Sequence, residues 1–515
     1  MTVKYKNAFL ERQHSIYAPY FNLFLIIFFA AILSKGLVLF RGYSIDDYGR
    51  EDAHLIDTLI SQGRYVAAVI YWAIDAAGIN LSDVYFSTGI LGLLLESAFI
   101  VSILRFVGLA NRPSAGLAGA LIVAHPYLTE VFTFRLLLPI YCFVLICSIV
   151  TLEAITQGLT NWRSKMLALL GVVLMVFSYQ SLLNYFAVAI VILLMNCQLR
   201  AGKINEVNIV GENYRARLVS LTLIVILSVV IYFIVTTTVT HLGLAEKTVR
   251  ANLLGASMVG QRLSQSGTLL AHIYWNDEPT LNGWPKILIA VALFISIVTI
   301  FSRMVMKGNG ASRLGKLLAL LLCVSLAPIS MGLILPFSDW WPVPRVIAHV
   351  GAITGLVFLL ADVRPIDNIR KAFRILLHGS QLIILLIFVF LSNQILADQQ
   401  RLNEWDKMKA SRIIARLEIE PGFKNVRFVH ISGGLWGYPS KLRMLQGDMN
   451  VSAFYVDYSK VSLLAEVSGY WLERSFGAQV TQGEAYCKNR KPWPDSASTA
   501  IFDNLAIVCL DKAGV

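Results

Sequence analysis

Charge is what this sequence has least of. Asp, Glu, Lys and Arg together make 15% of its 515 residues while 56% are hydrophobic, a balance that excludes a soluble globule of ordinary composition. Histidine and cysteine are also sparse, with 8 and 6 residues, and neither recurs at a spacing that builds a metal centre. No Walker or Rossmann glycine loop is present, which removes the usual phosphate cradles of nucleotide enzymes. Internal repeats and low-complexity tracts are absent too, against the paired halves common in secondary transporters. No cleavable leader is expected. The apolar run from Tyr20 to Phe40 is longer than a signal h-region and no small-residue cleavage pattern follows it.

What is present is a series of apolar runs. They begin near Tyr20, Val84, Ser114, Leu136, Met166, Leu182, Leu218, Ile287, Leu317, Val346 and Leu376, which predicts about eleven membrane spans. An odd number puts the termini on opposite sides. With the N-terminus inside, Lys4, Lys6, Arg12, Arg105, Arg112, Arg163, Lys165, Arg200, Lys203, Arg215, Arg217, Arg303, Lys307, Arg313, Lys316, Arg364, Arg370, Lys371 and Arg374 fall on inner segments, and the outer loops hold roughly half as many basic residues. Topology thus explains the net charge of +12 better than a nucleic-acid partner does.

From Asp398 to Val515 the composition stays polar, and this domain-sized segment falls outside. Asn403 to Glu418 has helical spacing, while Val426 to Ile431 and Val451 to Val456 read as strands. The expected organisation is therefore a transmembrane domain over 1–397 and a small α/β domain over 398–515, positioned to bind an acceptor polymer. The outer loop over 41–83 is expected to hold an acidic motif and one amphipathic helix from Arg50 to Ile74. Cys142, Cys147, Cys197 and Cys323 are expected as buried thiols, and Cys487 with Cys509 as a disulfide in the outer compartment.

Two runs are too short for ordinary spans. Between Lys165 and Arg200 two helices fit only if one has about fourteen residues, roughly 21 Å against a core of about 30 Å. Their turn, Ser178 to Ser181, is then expected at membrane depth. The run from Ser114 breaks similarly at His125-Pro126. Irregular backbone at that depth is tolerated where protein buries it or where it lines a watery cavity. Both breaks face the side of Asp46 and Asp47, so an outward-opening cavity follows.

The acidic segment Ile45 to Asp52 offers the strongest chemical signal. Adjacent carboxylates repel, so their site must supply cations, hydrogen bonds or a proton. Asp46 could cap the following helix with Arg50 as its pair, or one aspartate could be a general base; Asp47, nearer Arg50 by one residue, is favoured. Arg64 returns to the face of Arg50 two heptads on. Sugar transfer needs a base for the acceptor hydroxyl and positive charge for the departing phosphate. The rival use of the pair is to hold Mg²⁺ or Mn²⁺; otherwise no cofactor is expected. Arg135 either clamps phosphate or snorkels to the interface. Tyr179 and Gln180 either bind sugar hydroxyls or form a satisfied turn. Arg345, after Trp340 and Trp341, is expected as a further phosphate ligand. Lys35 is expected to snorkel and Glu96 to make structural hydrogen bonds.

These motifs carry a resemblance. Asp46 to Arg50, Gly63-Arg64, Pro126-Tyr127 with Glu130 and Phe134-Arg135, Tyr179 to Ser181, and Asn403 to Asp406 resemble, in that order, the serotype-converting O-antigen glucosyltransferases of the Gtr type, a GtrII-like family of the GT-C class. The resemblance implies a GT-C-like bundle in the bacterial inner membrane and an undecaprenyl-phosphate glucose donor. It implies an O-antigen or lipid-linked glycan acceptor, and a catalytic aspartate falling on Asp46 or Asp47. One departure is the run Leu136 to Leu138 where a carboxylate is expected. Other readings are a lipid or glycan flippase using the same cavity, and an O-antigen polymerase or ligase with a pyrophosphate-linked donor.

Overall fold

The computed structural model describes residues 20–40, 43–48, 54–79, 84–159, 161–200, 214–245, 253–275, 281, 283–307, 313–362, 368–434, 442 and 451–511. A helix lies at each of the eleven apolar runs. Among the described residues, eight helices are long and apolar enough to cross a membrane, and a bent pair makes up to nine. Two others are shorter: Trp162–Val176 with 15 residues and Val350–Ala361 with 12. At 1.5 Å per residue these extend about 22 and 18 Å, less than the roughly 30 Å hydrocarbon core.

The outer faces of the bundle suit lipid rather than water. On Tyr214–His241, the side chains of Val219, Leu223, Ile226, Val230 and Ile234 are all exposed. A contiguous apolar face of this kind is not sustained by a soluble monomer. Inside, Phe99, Phe132, Phe186 and Phe358 are fully buried. Small residues let helices approach closely: a Cβ on Gly351 would come 2.8 Å from the Cβ of His125, and one on Gly355 would come 2.6 Å from the carbonyl of Ala118.

The third run is the bent pair, Ala115–Ala124 followed by Tyr127–Thr133 at 56°. Pro126 lacks an amide and forces the preceding residue out of helical conformation; His125 accordingly has φ −57° and ψ 131°. Its ring Nδ1 accepts from the amide of Tyr127 at 3.3 Å, so the side chain caps the helix its backbone interrupts. The predicted break at Ser178 to Ser181 is also present, as an extended Tyr179 and a 3-10 turn at Gln180–Leu182.

Several expectations are corrected. The single amphipathic helix from Arg50 to Ile74 is two helices over its described part, α3 (His54–Ser61) and α4 (Tyr65–Ala76). Gly63 between them adopts φ +71°, and its missing Cβ leaves room for the Tyr232 hydroxyl, which would otherwise lie at 2.6 Å. Lys35 does not snorkel. Its side chain is fully buried, 6.0 Å from the Phe132 ring centroid and within electrostatic range of Glu96. Glu96 is 1% exposed, and among the described residues neither of its carboxyl oxygens has a hydrogen-bond partner. Its role is thus to face a buried charge rather than to accept hydrogen bonds.

The last helix of the bundle, Asn368–Glu418, has 51 residues and extends roughly 77 Å. It runs unbroken past the 397/398 boundary, and its end packs Ala410, Ile413, Ile414 and Leu417 into the core of the C-terminal domain. That domain holds a four-stranded sheet in the order β2-β1-β4-β3, from β1 (Phe428–Ser432), β2 (Glu473–Arg474), β3 (Thr499–Phe502) and β4 (Leu505–Cys509). β1 runs parallel to β2 and β4, and β3 antiparallel to β4. The strand expected at Val451 to Val456 is irregular. The Ser452 hydroxyl and the Ala453 amide both donate to Asp406, at 2.6 and 2.8 Å, and a side chain takes the place of a ladder. Cys487 and Cys509 are joined by a disulfide, and Cys142, Cys147, Cys197 and Cys323 are free.

Candidate active site

The two aspartates sit in a four-residue helix, Ile45–Tyr48. Successive helical side chains point about 100° apart, and the two carboxylates meet different surroundings. Asp47 turns inward and is 3% exposed. Its Oδ2 accepts from the amides of Ser44 at 2.8 Å and Arg135 at 3.3 Å, and its Oδ1 from that of Leu136 at 3.0 Å. Two of these amides begin the 3-10 turn Arg135–Leu137 that opens Leu138–Thr156, so Asp47 caps a spanning helix. Burial pushes its carboxyl up to about 6, against the opposing pull of the amides and Arg135. Asp46 is half-buried and faces the C-terminal domain, where the Tyr458 hydroxyl donates to its Oδ1.

Arg135 is buried inside protein rather than at the lipid interface. Its guanidinium lies between the rings of Tyr43 and Tyr85, 3.7 Å from each centroid. Such cation–π contacts contribute roughly 0.5 to 2 kcal/mol each and fix the plane of the guanidinium, the requirement for bidentate recognition of phosphate. Tyr43 is itself held by the last helix. Its amide donates to Asn403 Oδ1 at 2.9 Å, while its carbonyl accepts from Gln399 and Asn403, both at 3.1 Å. The acidic loop is thereby clamped between the bundle and the C-terminal domain, whose core includes Tyr48.

A second cluster forms at the two breaks, His125-Pro126 and Tyr179. Glu130, on the bent third run, receives the Arg345 amide at 2.7 Å and its guanidinium at 3.0 Å. Both side chains are at most 5% exposed. The Arg345 guanidinium also lies over the Trp341 ring at 4.5 Å. Tyr179 stands within electrostatic range of Arg345, Arg64 and Glu130, with the Arg64 guanidinium 5.7 Å from its ring centroid. Gln180 reaches the Tyr232 hydroxyl at 3.5 Å, on the edge of this group.

The clusters share elements. Glu130 and Arg135 flank the end of Tyr127–Thr133, and α4 carries Arg64 at its N-terminus while its Tyr71 hydroxyl donates to the Leu136 carbonyl. The fold thus brings Asp46, Asp47 and Arg135 into one group, and Arg64, Tyr179 and Arg345 into the other. Arg50 lies outside the described residues. Among the described residues, no three His, Cys, Asp or Glu side chains form a metal-ligand group.

The family model for glucosyl transferase GtrII matches residues 37–361, more than half of the chain. The chain belongs to the GtrII family. No curated protein and no solved structure matches it. The GtrII match starts in the last turn of the first span and ends with Val350–Ala361. Both arginine clusters lie inside it, while Asn368–Glu418 and the C-terminal domain lie beyond it. This GtrII protein is therefore a membrane glucosyltransferase by family, and its candidate site draws on residues inside the matched segment and on others after it.

Three tyrosines of this GtrII site escape the sequence reading. Tyr43 sits three residues before Asp46 and Tyr85 begins the second span; an aromatic at a span end reads as an interfacial anchor. Tyr458 is 412 residues from Asp46, and no local pattern ties the two.

Proposed function

We propose that the protein transfers a hexose, glucose by family, from a polyprenyl-phosphate donor to a hydroxyl of an O-antigen or related lipid-linked glycan, with inversion at the anomeric carbon. Asp46 takes the proton of the acceptor hydroxyl as its oxygen bonds to the anomeric carbon. The bond from that carbon to the phosphate oxygen breaks, and the lipid phosphate departs with the electron pair. Arg135, with Arg64 and Arg345, offsets the charge gathering on the phosphate, and Tyr179 and Gln180 supply hydrogen bonds to the sugar. Asp47 positions the loop.

The observation that carries this reading is the unequal surroundings of the aspartate pair. A carboxylate enclosed by three backbone amides is poorly placed to reach an incoming hydroxyl, whereas the half-buried Asp46 is within reach of one. The reading counts eleven crossings of a bacterial inner membrane, with the N-terminus cytoplasmic and the C-terminal domain periplasmic. The Cys487–Cys509 disulfide supports that side, because disulfides persist in oxidising compartments. The test is transfer by purified protein from polyprenyl-phosphate glucose. Asp46→Asn is expected to lower the rate by a factor of about 10² to 10⁴, the range for loss of a general base; an unchanged rate refutes the assignment.

A further inference from the structure

The C-terminal domain contains a pocket of about 640 Å³ at the carboxyl ends of β1 and β2. Carboxyl ends of parallel strands, where the chain reverses its order across the sheet, are where open α/β sheets bind ligands. Here the chain passes from β1 to β2 on one side and then crosses the sheet to β3 and back to β4 on the other, and the pocket is lined from β1 and β2, beside that reversal. Its volume falls in the range of small-molecule sites, roughly 300 to 1,000 Å³.

Its polar floor is built rather than incidental. His430, 7% exposed, is held between Ser475 Oγ, 3.0 Å from Nδ1, and Glu484 Oε1, 3.2 Å from Nε2. Glu484 also accepts from Ser432 at 3.0 Å, yet its side chain is 53% exposed, so a carboxylate of fixed orientation faces the opening. Gly483 makes the arrangement possible, since a Cβ there would come 2.1 Å from the imidazole. Two aromatic rings, Tyr455 and Phe476, are 46% and 67% exposed on the lining. The Lys460 ammonium is already taken by the Gly433 carbonyl and Asp457.

Exposed aromatic faces beside an oriented carboxylate match a pyranose ring, which stacks its apolar face and donates hydroxyl protons to the carboxylate. The charged side chains of the lining balance, Lys460 and the exposed Arg474 against Asp457 and Glu484, and a lining without net charge favours an uncharged sugar over a phosphate or a uronic acid. The location fits as well. In the helix Asp457–Ser468, Asp457, Lys460 and Val461 line the pocket while Tyr458 donates to Asp46. Pocket and aspartate are thus on different faces of one helix, whose diameter with side chains is about 10 Å.

We infer that this pocket is a subsite for an uncharged pyranose of the acceptor glycan, holding sugars that flank the one that reacts at Asp46. The inference rests on the transferase reading for the identity of its ligand. The test uses the full chain in lipid nanodiscs against an array of neutral and acidic bacterial O-polysaccharides. The wild-type protein is expected to retain at least one neutral polysaccharide. Phe476→Ala and Glu484→Gln, both at exposed side chains, are each expected to weaken that binding about ten-fold, the equivalent of one lost stacking or hydrogen-bonding contact. Binding of acidic polysaccharides alone, binding of none, or unchanged affinity in both pocket variants overturns the inference. Retained binding by a wild-type protein that transfers no sugar leaves the pocket standing and removes the transferase reading instead.

Discussion

Neighbouring aspartates within one helical turn have separate duties because the turn separates their directions. Asp47 satisfies three backbone amides, and its removal leaves them buried without an acceptor. Asp47→Ala is expected to lower stability by about 1 to 3 kcal/mol, read as a lower melting temperature, whereas Asp46→Asn melts as the wild type does. The pH dependence has a definite sign. The Asp47 carboxyl is raised from 3.8 to about 6 by burial, so the folded state holds its proton more tightly than the unfolded chain. Its contribution is full below about pH 4 and is lost as pH rises through about 6. Melting temperatures of wild type relative to Asp47→Ala are expected to fall across that window; a rise contradicts the assignment. Tyr458 acts on the other aspartate. Its hydroxyl donates to Asp46 and fixes the direction of that carboxylate, so Tyr458→Phe is expected to lower the transfer rate about ten-fold, the equivalent of one hydrogen bond to a charged group. An unchanged rate separates Tyr458 from the base.

At the scale of elements, the breaks matter more than the spans. Pro126 bends the third run and leaves Glu130 within the short helix that follows and Arg135 just past its end, one in each arginine cluster. This was legible in the sequence because a proline and a missing turn's worth of apolar residues are local signals. The break at Tyr179 was legible for the same reason of length. Other features were not. The burial of Lys35 depends on Glu96 on another helix, and the irregular Val451 to Val456 depends on Asp406, 45 or more residues away. Apolar alternation cannot register a side chain that takes over a backbone's hydrogen bonds. The disulfide closes the chain between Ala478–Cys487 and β4 over 22 residues. Cys487→Ser with Cys509→Ser is expected to cost the C-terminal domain roughly 3 kcal/mol in chemical denaturation.

Across the whole molecule, one helix joins two solvents. Asn368–Glu418 has its apolar half against the bundle and its polar half in the C-terminal core, and from its second half Gln399 and Asn403 hold the acidic loop through Tyr43. The candidate site therefore forms where the bundle, the first loop and the C-terminal domain meet, although the GtrII match ends before Gln399, Asn403 and the C-terminal domain. The central claim is that Asp46, and not Asp47, takes the proton during transfer from a polyprenyl-phosphate sugar. The most direct measurement is single-turnover transfer of glucose from polyprenyl-phosphate glucose by full-length protein in nanodiscs, compared among wild type, Asp46→Asn and Asp47→Ala at a temperature where all three are folded. The account predicts an inverted anomeric product from the wild type, loss of about 10² to 10⁴ in rate for Asp46→Asn, and a smaller loss for Asp47→Ala. A wild-type rate from Asp46→Asn, or the larger loss in Asp47→Ala, would contradict it.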